Sequence, residues 1–415
     1  PKFSASFACA FYAVLAWENW LLEMTYTSRF DKGADAIGRF LSFCFMASLV
    51  VFAGTVGTGF SDPYDMSWAF VAHGLATLFS ILKYIRGIIC NPVEAKPLRL
   101  VAVPLLIDCI FFFVAANEVY NSTENAIVIV IGAKVFRNGL VTFNWLRGGL
   151  AGKAGGYYEM STNIDAHYVT ERFGLLSIIV IGETILSVVA GVKAGANTQG
   201  IEVPNLIYSF TIVFSNWWIY FDNLNGNTVS YHKRGWLTTY AHEVLLVSNC
   251  FLAAGLGTVL SQEAGETVPE EVCSLFCFSY AVSCAMQFSI RILSSWNGKA
   301  IKENRWRYFQ RWAEALLCCG VLVAVPFCSE SWNRLDLLVS TATLAVVRII
   351  VDSISNYKDF HLLKPYWDEQ GLEYERPLMK HSLSMKAKCE DMDTSDFFRH
   401  SSLEGGGMGQ FPGAE

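Results

Sequence analysis

Eleven apolar stretches constrain this chain more than any other feature of its sequence. They cover residues 5–25, 40–59, 67–85, 100–117, 125–146, 171–193, 205–224, 240–260, 272–291, 312–329 and 336–356. Because an α-helix needs about 20 apolar residues to cross the hydrocarbon core of a bilayer, each stretch predicts one membrane-spanning helix. We number these helices spans one to eleven. The pattern predicts an all-α, polytopic helical membrane protein that is embedded in the lipid bilayer and has the bilayer lipids as partners.

The composition of the chain agrees with a surface that meets lipid. Asp, Glu, Lys and Arg make up 16% of the 415 residues, and hydrophobic residues make up 53%. Charged residues account for about 25% of an ordinary soluble domain. The net charge is -6 and no long basic stripe is present, so nucleic acid is excluded as a partner.

The positions of Lys and Arg between the spans predict the orientation of the chain. Fifteen of them lie in the connections that follow the odd-numbered spans, whereas the connections after the even-numbered spans hold only Arg334. Because Lys and Arg near span ends are retained on the cytoplasmic side, the odd-numbered spans end in the cytoplasm. Residues 357–415 are polar and Gly-rich at their end, so we predict a cytoplasmic tail that is largely disordered.

The two halves of the chain carry similar features in the same order. Ala53-Gly54 in span two corresponds to Ala254-Gly255 in span eight, and Arg137 in span five corresponds to Arg348 in span eleven. This order predicts two parallel repeats, as in transporters that arose by duplication. Span six has no counterpart in the first half, so the first helix of a 12-helix pattern is missing from the sequence.

The repeats and the polar segments divide the chain into four parts. Residues 1–147 form the first repeat with five spans, and residues 148–170 form a cytoplasmic linker. Residues 171–356 form the second repeat with six spans, and the tail follows.

Span six carries the densest set of polar groups inside the predicted membrane. Glu183 lies near its middle, while Glu171 and Arg172 lie near its cytoplasmic end, and Gly174 and Gly182 would let a neighbouring backbone or small ligand approach. Since ionisable groups inside spans are costly, Glu183 is a candidate for ion or proton binding. The alternative is that Glu183 is a hydrogen-bonded packing residue and that Glu171 and Arg172 anchor the helix at the interface.

Further candidates for solute or ion binding lie in three other spans. Glu18 lies in span one, Asp108 in span four and Asp222 at the end of span seven, where Trp217 and Trp218 could stack on a ligand. Pairing between acids and bases inside the membrane would satisfy many of the charged groups without any ligand. Aromatic residues at span ends more commonly form the interfacial belt of a membrane protein.

Catalytic, cofactor and metal signatures are absent from the sequence. His242-Glu243 begins like the zinc motif HExxH, but the second His is lacking. No nucleophile elbow, CxxC or dinucleotide fingerprint is present. We therefore predict neither an enzyme nor a bound cofactor or metal.

Three segments resemble the bacterial low temperature requirement A family of multi-pass membrane proteins. They are ERFGLLSIIVIGETIL from residue 171, YTSRFD at 26–31 and WWIYFDN at 217–223, and the resemblance covers about residues 12–355. Family members begin with an acidic, aromatic helix that reads like ELFFDLVF, and this sequence lacks it. That helix would be the counterpart of span six. The resemblance implies a membrane protein and no particular reaction.

The sequence features together favour a secondary transporter of a small solute or ion, with an intramembrane carboxylate, foremost Glu183, as its coupling site. Parallel repeats and an acid deep in a span are both typical of carriers. The alternative is a non-transporting structural subunit or scaffold of a larger membrane assembly. A homo-oligomer is compatible with either function.

Overall fold

The structure is a computed structural model that describes most of the predicted membrane region. It describes residues 5–30, 36–58, 60–90, 95–150, 166–196, 203–223, 235–262, 267–295, 316, 319–322, 324 and 332–369. Its long helices are α1 (Ala5–Phe30), α2 (Ala36–Thr55), α3 (Pro63–Cys90), α4 (Ala95–Glu118), α5 (Thr123–Leu150), α6 (Ala166–Ala196), α7 (Val203–Asn223), α8 (Gly235–Ser261), α9 (Glu270–Ser295) and α10 (Arg334–Glu369). A 3-10 turn at Val56–Thr58 extends α2, and no β-strand occurs in these ranges. The chain is thus an all-α, polytopic membrane protein.

The helices coincide with the apolar stretches of the sequence. Ten of the predicted spans fall on α1 to α10 in order, whereas 312–329 lies mostly outside the described residues. Seven helices, namely α2, α3, α4, α6, α8, α9 and α10, are long and apolar enough to cross a membrane by composition. Helix α10 continues to Glu369, so the predicted tail begins inside a helix, and residues 370–415 lie outside the described part.

The helices pack into two groups that are joined through α1. In the first group α3 packs against α2 and α4, and α4 packs against α5. In the second group α8 packs between α6 and α9, and α7 lies along α10. Helix α1 contacts α3 in the first group and both α6 and α8 in the second. Residues of α1 therefore lie where the two groups meet.

Glycines permit the closest approaches between helices of the second group. A Cβ atom added at Gly191 of α6 would lie 2.5 Å from the carbonyl oxygen of Gly257 in α8. A Cβ atom at Gly255 would lie 2.9 Å from the Cα atom of Phe276 in α9. Small residues at such positions let transmembrane helices gain van der Waals contact between backbones. The α6–α8 and α8–α9 contacts therefore depend on glycine.

The connection between α8 and α9 is tied to the start of α10. Thr267 forms an isolated antiparallel bridge with Asn333. Arg334 donates hydrogen bonds to the carbonyl oxygens of Leu260 at 3.0 Å and Gln262 at 2.7 Å. Because the last carbonyls of a helix lack partners within it, Arg334 caps the C-terminus of α8.

Candidate functional site

Four ionisable side chains meet where α1 contacts the first helix group and form what we call the charge cluster: Glu18, Asp108, Lys134 and Arg137. Lys134 Nζ lies 2.5 Å from Glu18 Oε2 and 2.7 Å from Asp108 Oδ2. Arg137 lies 2.6 Å from Glu18 Oε1 and 2.9 Å from Asp108 Oδ2. At most 11% of any of these side chains is exposed. Two acids and two bases thus form a buried, formally neutral group.

The geometry of the charge cluster follows from the helices that supply it. Lys134 and Arg137 are three residues apart on α5, so both side chains project from one helix face. Asp108 comes from α4, which packs against α5, and Glu18 comes from α1. Each carboxylate contacts both bases, and the cluster joins α1 to the consecutive helices α4 and α5.

His73 of α3 extends the charge cluster. Its Nε2 atom lies 3.2 Å from Lys134 Nζ, and its Nδ1 atom lies 2.8 Å from the side-chain amide of Asn19. An ammonium group can only donate, so Nε2 of a neutral His73 accepts from Lys134 and Nδ1 carries the proton. The Asn19 atom that faces Nδ1 is Nδ2, which can only donate, so the amide has to be turned over to bring Oδ1, which has no partner among the described residues, against Nδ1. His73 is 1% exposed and Asn19 is fully buried.

Three members of this region have the chemistry of metal ligands. Glu18, His73 and Asp108 each offer a ligand atom, and these atoms lie within 4.8 Å of one another. The Lys134 ammonium contacts all three groups. A side-chain cation therefore occupies the position that a metal ion would take, and Lys134 would have to move before a metal could bind.

Helix α8 brings a further acid towards the charge cluster. Glu243 is half-buried and lies close enough to interact electrostatically with Glu18, Lys134 and Arg137. It also faces the indole of Trp17. Since α8 belongs to the second helix group, Glu243 connects this group with the charges of the first.

Stacked aromatic rings from α1, α6 and α8 pack near Glu243 and the charge cluster. Trp17 packs on Trp20 with ring centroids 5.2 Å apart and on Phe173 of α6 at 5.9 Å. Phe173 stacks in turn on His242 of α8 at 4.2 Å. His242 Nδ1 donates to the carbonyl oxygen of Thr238 at 2.7 Å. The aromatic rings pack α1 against α6 and α8 directly beside the charged groups.

The second helix group contains an uncharged counterpart, which we call the amide cluster: Asn216, Asn249, Ser283 and Gln287. Asn216 Nδ2 donates to Asn249 Oδ1 at 2.8 Å, and Gln287 Nε2 donates to Asn216 Oδ1 at 2.8 Å. Ser283 Oγ donates to Asn249 Oδ1 at 2.9 Å. Arg348 of α10 donates to Gln287 Oε1 at 2.8 Å. This cluster joins α7, α8 and α9 through neutral hydrogen bonds.

A second ion pair lies in the first group, away from the charge cluster. Lys83 Nζ is 2.6 Å from Glu23 Oε2 and donates to Ser42 Oγ at 2.8 Å. Its ammonium also lies 5.3 Å from the ring centroid of Phe45. These contacts connect α1, α2 and α3.

The residues singled out in span six lie apart from the charge cluster. Glu183, Glu171 and Arg172 are all exposed on α6, and Arg172 packs over the ring of Tyr168 at 4.8 Å. Glu183 lies within electrostatic range of Cys250 in α8. Its role in coupling stays a prediction.

The two glycines of span six differ in their surroundings. Gly174 is buried, whereas a Cβ atom at Gly182 would meet no atom within 4 Å. Gly182 therefore has open space beside it, and the close contact of α6 with α8 occurs at Gly191.

The aromatic pair of span seven forms a ladder along α7. Trp217 is half-buried and lies between Phe214 at 5.6 Å and Phe221 at 5.4 Å. Trp218 is 36% exposed. Asp222 is half-buried and has a partner of its own. The structure does not bring these residues into contact with the charge cluster.

Glu18 and Asp108 are the predicted site residues that the structure brings together. Lys134, His73 and Glu243 were missed by sequence reasoning. A lysine three residues before an arginine within an apolar stretch was the available signal for Lys134, because two bases on one helix face require acids nearby.

Comparison with known proteins places the chain in a family. No curated protein and no solved structure matches it significantly. Residues 1–351 match the family described as bacterial low temperature requirement A protein. The matched region contains the charge cluster, the amide cluster and nine of the ten long helices in full. The chain therefore belongs to the bacterial low temperature requirement A family.

Proposed function

We propose that the chain is a proton-coupled secondary transporter and that the charge cluster is its coupling site. The observation that carries this proposal is the buried arrangement in which Glu18 and Asp108 share Lys134 and Arg137. Ionisable groups inside membrane helices are costly and commonly belong to ion or proton pathways.

Proton uptake and anion binding are coupled because three partners already surround the Lys134 ammonium. The Lys134 ammonium already contacts three groups: it is hydrogen-bonded to Asp108 and His73, and it forms an ion pair with Glu18. When the Glu18 carboxylate takes up a proton, it loses its charge and its strong attraction to both bases. Lys134 can then pair with a different anion. Proton uptake at Glu18 therefore frees the Lys134 ammonium to bind one further anion.

The same step alters the packing of helices. Glu18 belongs to α1, whereas Asp108, Lys134 and Arg137 belong to α4 and α5. Protonation weakens the ion pairs that hold α1 to these helices and favours a state in which they are further apart. Because α1 also contacts α6 and α8, a shift of α1 changes the contact between the two helix groups. A proton can thus bias one arrangement of the groups over another.

The proposal assigns the coupling proton to Glu18 and Asp108 in preference to Glu183. Glu183 is exposed on α6 and forms no ion pair with another described residue, whereas Glu18 and Asp108 each pair with two bases. The liposome experiment described next also tests the prediction that Glu183 is the coupling residue.

The test uses the purified chain in liposomes that contain a pH-sensitive dye. We expect at least one class of solute, from a panel of organic acids, amines, amino acids and inorganic ions, to change the internal pH. Glu18→Gln and Asp108→Asn should abolish this change. Glu271→Gln, at an exposed position of α9, is the matched control and should preserve it. Loss in Glu183→Gln alone would move the coupling site to α6.

A charge-balanced variant separates coupling from folding. Glu18→Gln alone leaves a base without its partner, which destabilises a buried group by about 3–5 kcal/mol. Glu18→Gln combined with Lys134→Met leaves Asp108 paired with Arg137. We expect this double variant to fold and still to lack solute-driven proton movement. Normal transport by the double variant would refute the coupling role.

The formal neutrality of the charge cluster also supports the alternative function, a structural subunit. A fully paired cluster can hold helices together without any transport. If the chain is a scaffold, it should co-purify with partners in fixed stoichiometry from native membranes, and no solute should change the internal pH of the liposomes.

A further inference from the structure

An open cavity of about 710 Å³, with Val135 and Ile131 exposed on its outer side, lies between α1 and α5 beside the charge cluster. Phe7, Phe11 and Val14 line it on α1, and Val135 lines it on α5. Lys134 and Asn138 are the polar side chains in its wall. Its volume falls in the range of about 300–1,000 Å³ that is typical of small-molecule sites.

The lining of the cavity selects an amphipathic molecule. Its walls are aromatic and aliphatic except at Lys134 and Asn138, which are one helical turn apart on α5. The Asn138 amide has no hydrogen-bond partner in the described part of the chain. An ammonium and an amide N–H both donate, so the polar end of the occupant has to accept hydrogen bonds.

The ammonium of Lys134 favours an anion as that polar end. Lys134 is a cation in the wall of the cavity, and a carboxylate can accept from it and from Asn138 together. Lys134 Nζ is already surrounded by Glu18, Asp108 and His73, so one of these partners has to be released. This step rests on the proposed function, because protonation of Glu18 is what releases Lys134.

We propose that the cavity between α1 and α5 binds a fatty-acid-like organic anion, with its carboxylate at Lys134 and Asn138 and its alkyl chain among Phe7, Phe11 and Val14. The anion takes the place of Glu18 on Lys134 while Glu18 accepts one proton. The charge cluster stays neutral throughout, since one negative charge and one proton enter together. The substrate class of the carrier is then an amphipathic carboxylate that moves with a proton.

Photolabelling of the full chain in phosphatidylcholine nanodiscs tests the binding site without any proton gradient. The probe is dodecanoate that carries a diazirine on its alkyl chain, and the control probe is the corresponding alcohol. We expect the carboxylate to label peptides that contain residues 7–15 and 131–139, and excess unlabelled dodecanoate to prevent this labelling. Labelling by the alcohol should be about tenfold weaker, because it lacks the charge-assisted hydrogen bond to Lys134.

Two substitutions probe the two ends of the cavity. Ala10→Trp fills the apolar part and should abolish the labelling, whereas Ala16→Trp, on α1 outside the cavity, should leave it unchanged. Asn138→Leu leaves the volume nearly unchanged and should reduce labelling by the carboxylate more than labelling by the alcohol, because a charged acceptor forms the stronger hydrogen bond with the amide.

The outcomes distinguish the binding site from the coupling mechanism. Labelling spread along lipid-facing helices such as α2, equal labelling by acid and alcohol, or labelling that unlabelled dodecanoate does not reduce would overturn the proposal. Glu18→Gln mimics the protonated acid and should increase labelling at neutral pH. Labelling that is specific but equal in Glu18→Gln and the unmodified chain would support the cavity and contradict proton coupling through Glu18.

Discussion

Gly191 and Gly182 of α6 provide the sharpest test of the packing described above. The two glycines lie on the same helix and differ in what a methyl group would meet. At Gly191 the added Cβ would lie 2.5 Å from Gly257 O and 2.9 Å from Leu260 Cβ, whereas at Gly182 it would meet open space. The same substitution to alanine should therefore have opposite effects at the two positions.

The magnitude at Gly191 follows from the distance to the backbone of α8. A carbonyl oxygen in a helix cannot rotate away, so the 2.5 Å contact is relieved only if α6 and α8 separate. A gap of 0.5–1 Å costs each contacting atom pair roughly a quarter to a half of its dispersion energy. Overpacking of this kind typically costs about 1–3 kcal/mol, and we expect Gly191→Ala to fall at the upper end.

The effect at Gly182 has the opposite sign. Alanine is favoured over glycine in a helix interior by about 0.8–1.0 kcal/mol, and nothing in the structure opposes the methyl group. We therefore expect Gly182→Ala to stabilise the protein by up to about 1 kcal/mol.

Reversible unfolding of the purified protein by SDS in mixed micelles measures both free energies. Gly257→Ala is a second variant on the opposite helix, since its Cβ would lie 3.2 Å from Ser187 O and should cost less than Gly191→Ala. Equal stability of the Gly191→Ala and Gly182→Ala variants would refute the close α6–α8 contact.

Three further substitutions test other contacts in the same unfolding assay or by hydrogen exchange. Lys83→Met should lower the free energy of unfolding by about 2 kcal/mol, because it leaves the Glu23 carboxylate without its base; adding Glu23→Gln should restore most of this loss, and no restoration would contradict the pairing. Asn249→Leu should cost about 1–3 kcal/mol, because it leaves groups of the amide cluster unpaired inside the protein, and a neutral result would contradict that network. Arg334→Gln should speed hydrogen exchange in the last turn of α8 while exchange in the middle of α8 stays unchanged; equal exchange in the last turn would contradict the cap.

Sequence reasoning located the helices because bilayer thickness sets a minimum length for each apolar stretch. Helix α10 extends past the predicted end at residue 356 because a helix does not have to stop where the membrane ends. The parallel repeat stays a prediction, since the described contacts do not establish it.

The candidate site was only partly predictable from the sequence. Glu18 and Asp108 can be predicted as candidates because an acid in an apolar stretch raises the free energy of membrane insertion wherever its side chain points. Their partners depend on which helices pack together, and that is decided by contacts between distant segments. Apolar residues occur on every side of span six, so the sequence alone does not tell the exposed position of Glu183 from a buried one, because lipid and protein interior are equally apolar.

The distribution of charge among the helices has a consequence for biosynthesis. Helices α1 and α5, which carry Glu18, Lys134 and Arg137, are not among the helices apolar enough to span a membrane by composition. A base at the centre of a helix raises the free energy of insertion by about 2.5–3.5 kcal/mol, and α5 carries two. Helices α1 and α4 emerge from the ribosome before α5, so both acids are already present when the bases arrive. We therefore expect substitution of Asp108 to act first during synthesis. Helix α5 would then fail to remain in the bilayer, and quality control would degrade the chain.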